Sequence, residues 1–526
     1  MEKKIEDIEQ NFNSNNYSKT IELCNSFFKS YPIKKFPKNL FILNYLGASL
    51  SLTRNYTKSV EVFKEGLKID SKNINLKSNL AKVYKDSKEY TKAIKIYNEL
   101  HNQTNNDEFY LQIGVCYFDS NDFTKSKEIF EKVTIEDASN IIAIDYMSQT
   151  LIKLKQFDLA LSYINKGLKI KSNNPYFLNN KAIVFKFQKK HTEAISLLKK
   201  IPANNNQFPK YVLYNNIGSI YEDAGDNEKA KNYYFKSLEI NKRHELTNYN
   251  LGKIFKRENE FDLAKNYFNK AGGLGKIKLL ELSYFLDDRK NFNRLIGEYE
   301  ELEPHNNNVA AMSAFASEQW GTTNNYSFCH NPILFLKYKN IIEDLKDLDF
   351  SFSDLSKELS ELTEIWEPED TTTKKGSQTF NNLFSLKKNN ISKLKDLLKD
   401  EIISYLENYR KDNSRYIKSW PKSYNIFGWV VNLQSGGFQS SHIHMGAWMS
   451  GVFYLSIPDD IKKNDGVIKF SLQGFDYPMK KNSSVSEIIK PKKGDLVLFP
   501  SSLFHQTTPF ESNENRICIA FDIIPK

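Results

Sequence analysis

The stretch GGFQSSHIHMGAWMSGVFYLSI, residues 436–457, sets two histidines in front of a β-branched and aromatic run. Successive side chains of a strand point to opposite faces, so His442 and His444 are expected on one face. Gly436 and Gly437 end an apolar segment, Tyr424 to Gln434, and Phe438 to His444 carries the histidine pair as a strand. Ser450 to Ile457, Gly466 to Leu472, Val485 to Lys490, Asp495 to Phe499 and Arg516 to Ile524 follow, punctuated by Asn, Asp, Pro and Gly. Short strands at this spacing predict a double-sheet jelly roll or a small barrel.

Three of the eight histidines lie in the last 85 residues. His505 comes 61 residues after His444, just past the end of a strand, and Arg516 lies 11 residues further on. Imidazole is the commonest metal ligand, and three rings from separate segments can close on one divalent ion. Arg516 begins a last strand that can return antiparallel beside the first. Trp429 and Trp448 are expected as barrel packing, with Trp448 near enough to the histidines to line a substrate channel. Asp459, Asp460 and Asp465 belong to a solvated turn.

Gly437 to Pro525 resembles the iron(II)/2-oxoglutarate-dependent oxygenases of the double-stranded β-helix fold, in particular bacterial and phage members. The shared elements are Gly436-Gly437, His442 and His444, Ser450 to Leu455, Pro491 to Ser501, His505, and Arg516 to Phe521. Gly376-Ser-Gln-Thr379 and Asn382-Leu-Phe384 resemble that family's upstream segment, so the likeness covers about residues 330–526. It implies Fe(II), 2-oxoglutarate and O₂ as cofactors, with ascorbate as a reductant. It also implies oxidation of a C–H bond, usually to a hydroxyl, as oxoglutarate is decarboxylated to succinate. His442, His444 and His505 would hold the metal, and Arg516 would receive the distal carboxylate of oxoglutarate through two parallel hydrogen bonds. Tyr454 or Ser450 would add a hydroxyl. The chain departs from the family at position 444, where the usual ligand is a carboxylate. Aspartyl/asparaginyl β-hydroxylases also lack it.

Upstream the pattern changes. Small residues recur as Gly47, Ala81, Gly114, Ser148, Ala182, Gly218 and Gly252, at intervals of 34, 33, 34, 34, 36 and 34. Ser59, Ala93, Ser126, Ala160, Ala194, Ala230 and Ala264 repeat the same intervals. Tyr56, Tyr90, Phe123, Phe157 and Phe261 lie three residues before members of the second series. This is the signature of tetratricopeptide repeats, helix–turn–helix units that stack into a right-handed solenoid with a concave groove. Ile5 to Pro32 resembles a partial first unit and Gly275 to Pro304 a degenerate last one, for about eight or nine units.

The expected organisation is a two-part α + β chain. A repeat solenoid occupies 1–305, a junction 306–335, and an oxygenase-like jelly roll 336–526, its β core at about 422–526. Leu345 to Glu367 and Asn389 to Tyr409 are expected as helices, with Glu367 to Ser377 a polar loop between them. Val309 to Lys339 shows no repeat signature.

A net charge of +10 is modest for 526 residues and its lysines are spread out, which points away from nucleic acid. Cys24, Cys116, Cys329 and Cys518 lack the spacing of a disulfide framework or a zinc site. A charged start and no apolar run of membrane length lead to a soluble cytoplasmic protein. The groove is expected to hold a protein or peptide, with Asn44, Asn79, Asn215 and Asn216 able to clamp backbone. Oligomerisation is the other use of such repeats, and the oligomeric state is open. The leading expectation is an oxoglutarate-dependent hydroxylase. A repeat scaffold with a degenerate or ligand-sensing barrel, and an oxoglutarate-independent cupin-type three-histidine dioxygenase, are the alternatives.

Overall fold

The computed structural model describes residues 1–526 apart from 33–36, 203–207, 369, 370, 463 and 476. The chain divides into two compact units, Met1–Asp226 and Asn227–Lys526, with the boundary inside the repeats.

In the first unit, helices come in pairs such as Phe41–Leu52 with Tyr56–Ile69 and Asp107–Asp119 with Phe123–Glu136. The expected partial first unit forms both of its helices, Glu2–Asn13 and Tyr17–Ser30. The two small-residue series keep step because they touch. A Cβ built on Gly47 would lie 2.4 Å from the Phe63 ring, and one on Gly114 would lie 2.8 Å from Phe130. The Ser59 hydroxyl donates to the Gly47 carbonyl at 2.6 Å, and Ser126 to Gly114 at 3.2 Å. Arg54, Lys88, Asn121, Lys155 and Lys189 turn the chain within pairs at positive φ, and they too follow the repeat interval. Asparagines cap helix starts, with Asn73, Asn140 and Asn174 each accepting from a backbone N–H of the first turn. Amides also join neighbouring repeats: Asn79 donates to Asn44 at 2.9 Å, and Asn216 to Asn179 at 2.7 Å. Asn215 is buried instead.

The second unit begins with repeat helices, among them Glu245–Arg257, Phe261–Lys270, Gly273–Phe285 and Arg289–Leu302. The stretch without a repeat signature opens with another helix, Asn307–Trp320, in which every residue from Val309 to Ala316 is buried. A helix apolar all round must be enclosed on all sides.

The strands are β1 (Lys337–Asn340), β2 (Ile365–Trp366), β3 (Thr373–Gln378), β4 (Tyr424–Gln439) and β5 (Met449–Ser456). They continue as β6 (Ile468–Ser471), β7 (Ser486–Ile489), β8 (Asp495–Pro500), β9 (Phe504–Thr507) and β10 (Arg516–Pro525). One sheet runs β1-β8-β5-β10-β4-β3-β2 and the other β7-β6-β9, all neighbours antiparallel. As expected, β10 returns beside β4.

Several expected bounds shift. The glycine pair does not end a strand, since β4 runs through it with Gly436 at φ 76°. Of Phe438 to His444, only Phe438 and Gln439 are strand, as the end of β4: His442 makes an isolated bridge to His505, and His444 lies in the loop that follows. His505 sits within β9 rather than past a strand end. Leu345 to Glu367 breaks into Ile342–Lys346, Phe352–Ser360 and β2, with Asp349 at φ 51° in the break. The polar loop from Glu367 becomes β3 from Thr373 onward, while Glu369 and Asp370 lie outside the described residues.

Candidate metal centre

The inward face of β10 carries Arg516, Cys518, Ala520 and Asp522, spaced two apart. Directly paired with them are Leu433 and Trp429 on β4, and Tyr454, Val452 and Ser450 on β5. Cys518 and Ala520 are small, and a cavity lined by Trp429, Tyr454, Arg516 and the three histidines lies against them.

His442 is locked to His505 by reciprocal backbone hydrogen bonds of 3.1 and 3.0 Å, and the His444 N–H donates to the Ser501 carbonyl at 3.0 Å. These pairings hold one potential ligand atom from each ring within 4.8 Å of the other two. The ring centroids are 4.1 Å apart for His442 and His505, and 5.1 Å from each of these to His444.

Each Nδ1 faces an acceptor. His442 donates to the Ser440 carbonyl at 2.8 Å, His505 to the Leu503 carbonyl at 3.1 Å, and His444 to the Asp522 carboxylate at 2.6 Å. A carbonyl oxygen cannot donate, so the proton sits on Nδ1 and the Nε2 lone pair is left for a metal. Burial, aided by the neighbouring His444, pushes His442 down to about 4. Burial holds His505 well below the usual histidine range. Both rings are therefore neutral near pH 7, the form that coordinates metal.

Arg516 is 1% exposed. Its Nη2 donates to the Tyr454 hydroxyl at 3.3 Å, while Nε and Nη1 are buried with no partner among the described residues. Burial pushes the Tyr454 phenol up, so its oxygen stays protonated. A buried guanidinium with two unpartnered nitrogens and no carboxylate against it among the described residues is costly, and a planar carboxylate ligand would meet one edge of its fork, Nη1 with Nη2 or Nε with Nη2. The donor set thus fits a divalent metal beside a carboxylate-bearing ligand.

Ser450 lies behind the metal face. Its hydroxyl donates to Asp522 at 2.7 Å and sits 2.7 Å from the Ser501 hydroxyl, so it braces the carboxylate that holds His444. Asp522 is the residue that sequence reasoning missed. Counting in twos from Arg516 would have found it. Its carboxylate brings one negative charge to the site, through His444, where a carboxylate ligand would bring it directly. Trp429 lies over His444 at 5.6 Å. Trp448 is buried among Tyr416, Trp420, Phe328 and His305.

Comparisons with known proteins agree with this division. Residues 428–522 match the family model described as "Putative 2OG-Fe(II) oxygenase". Residues 107–135, 147–174, 211–244 and 247–271 match tetratricopeptide repeats. A TPR repeat-containing protein of Methanocaldococcus jannaschii is 25% identical over 223 residues, 42% of this chain and 36% of that protein. Anaphase-promoting complex subunit 3 of Schizosaccharomyces pombe is 26% identical over 164 residues, 30% of this chain and 24% of that one. The chain thus spans about a third or less of these curated relatives. A tetratricopeptide repeat protein from Parabacteroides merdae aligns over 47% of this chain and 95% of its own, at 18% identity and a TM-score of 0.41. No helix among the described residues is long and apolar enough to cross a membrane. The chain joins an array of tetratricopeptide repeats to a jelly-roll domain that carries the family match "Putative 2OG-Fe(II) oxygenase".

Proposed function

We propose that the barrel is an Fe(II)/2-oxoglutarate-dependent oxygenase that hydroxylates a protein or peptide recruited by the repeats. The observation that carries this reading is Arg516, a buried guanidinium with two nitrogens unpartnered among the described residues, in the cavity that the three histidines line. His442, His444 and His505 would hold Fe(II), and Arg516 with the Tyr454 hydroxyl would take the distal carboxylate of oxoglutarate. Bound iron and oxoglutarate supply O₂ activation, and ascorbate keeps the iron reduced between turnovers. The chain's own work is to hold the three imidazoles together, His442 and His505 neutral through burial, to orient His444 through Asp522, and to wall the site with Trp429. A cupin-type dioxygenase has no need for a carboxylate clamp on β10, so Arg516 favours the oxoglutarate reading over it. Peptide recruitment is supported by the tetratricopeptide repeats, and a cytoplasmic setting by four unpaired, buried cysteines.

The test is succinate formation from oxoglutarate by the purified chain with Fe(II), ascorbate and O₂ and no added substrate. We expect slow turnover that is lost in His505→Ala together with the metal. Arg516→Ala should lose oxoglutarate binding yet retain the metal. No succinate, with no oxoglutarate binding by the iron-loaded chain, would move the assignment to a repeat scaffold with a non-catalytic barrel.

A further inference from the structure

The helix Asn307–Trp320 grips the barrel at both ends. At its end, Gln319 Oε1 accepts from the backbone of Lys480 and Lys481 at 2.8 and 2.9 Å, and its amide donates to Ser483 at 3.1 Å. The Glu318 carboxylate accepts from the Ser484 hydroxyl and the Val485 N–H, each at 2.7 Å. At its start, Asn307 is 2% exposed. Its amide nitrogen donates to the carbonyls of His444 at 2.9 Å and Ala447 at 2.6 Å, with Met445 at 3.4 Å. The ends of the loop it holds are tied by the His444 N–H to the Ser501 carbonyl at 3.0 Å and the Trp448 N–H to the Ile523 carbonyl at 2.8 Å, but its own closure is weak. The backbone bond from Ala447 to His444 is 3.5 Å long, and Met445 at the turn is 68% exposed. Asn307 also keeps its own Oδ1 buried without a partner among the described residues. An acceptor buried without a partner is unfavourable, so the residue carries a penalty to keep its donors in place.

We propose that Asn307 is a positioning residue for the metal centre. It fixes the backbone of His444 from a helix 137 residues away in sequence, and thereby sets where that imidazole meets the metal. The inference rests on His444 being a ligand. It makes the 307–320 helix part of the oxygenase site as well as its neighbour.

The test uses the full chain and Co(II) as a spectroscopic stand-in for Fe(II). Visible d–d absorption reports both affinity and ligand geometry. Asn307→Ala should weaken Co(II) binding roughly tenfold, at the low end of the effect of removing outer supports of a ligand, and should alter the band shape. Asn307→Ser, which keeps one donor on a shorter arm, should fall between and serves if the alanine variant does not fold. Phe292→Leu, a core change at Trp320 away from the site, should lower the thermal midpoint and leave the spectrum alone. An affinity and spectrum within twofold of wild type in Asn307→Ala or Asn307→Ser would overturn the proposal, as would an equal effect of Phe292→Leu. A wild-type chain that binds no Co(II) would remove the ligand set itself, and the proposed function with it.

Discussion

Asp522 is where one side chain carries most of the chemistry that residue types alone do not reveal. Its carboxylate fixes the His444 tautomer at 2.6 Å and is itself braced by Ser450. An asparagine there keeps the shape but loses the charge and can present an N–H to the imidazole instead of an acceptor. Asp522→Asn should therefore weaken Co(II) or Fe(II) binding by roughly 10–100-fold while the fold persists. Metal titration with circular dichroism checks it, and unchanged affinity would mean that His444 needs no charged partner. The three histidines and Arg516 stand out in the sequence because those residue types are rare and chemically specific. Asp522 does not, because an acid in a strand is visible only through its alternation with Arg516. Asn307 is hidden more deeply still: no local pattern links an asparagine to a loop 137 residues on.

At the scale of elements, the repeats were the most legible part, because their spacing is written by contact. Gly47, Gly114 and Gly252 each precede a phenylalanine by sixteen residues, Phe63, Phe130 and Phe268, while Ser148 and Ala182 have Ile164 and Leu198 there. The structure gives the reason, since a Cβ at any of these glycines would strike that ring at 2.4 to 2.8 Å. Gly47→Ala should cost about 1–3 kcal/mol by overpacking. Phe63→Leu in that background should cost less than it does alone, with a coupling of about 0.5–3 kcal/mol. Chemical denaturation of the two single variants and the double variant measures this, and strict additivity would mean that the ring is not the obstacle. The strands were less legible at their ends. The glycine pair that reads as a stop is a bend within β4, and the H-x-H segment that reads as a strand is a single bridge. The rings still converge, because backbone bonds to His505 and Ser501 do the work that a regular strand was expected to do.

At the scale of the molecule, what matters is how far upstream the barrel's foundations reach. The missing repeat signature places a junction at 306–335, yet the helix that starts there is buried throughout residues 309–316 and holds two barrel loops. Aromatic contacts tie the same region together: Trp448 meets His305 and Phe328 at 5.0 Å, and Tyr477 stacks on Phe315 at 5.7 Å. The Tyr284 hydroxyl, from a repeat helix, donates to the Pro478 carbonyl at 2.7 Å. A fragment beginning at residue 336 would expose Trp448 and Tyr477 and strip every one of these anchors. Large apolar surface left bare in this way favours aggregation over folding. A fragment beginning at Asn227, the start of the second compact unit, keeps them all. The longer fragment should be soluble and bind Co(II) as the full chain does, and the shorter one should fail on one count or both. Gel filtration and the Co(II) spectrum decide it. A folded, metal-binding 336–526 fragment would show that the barrel stands without its last repeats.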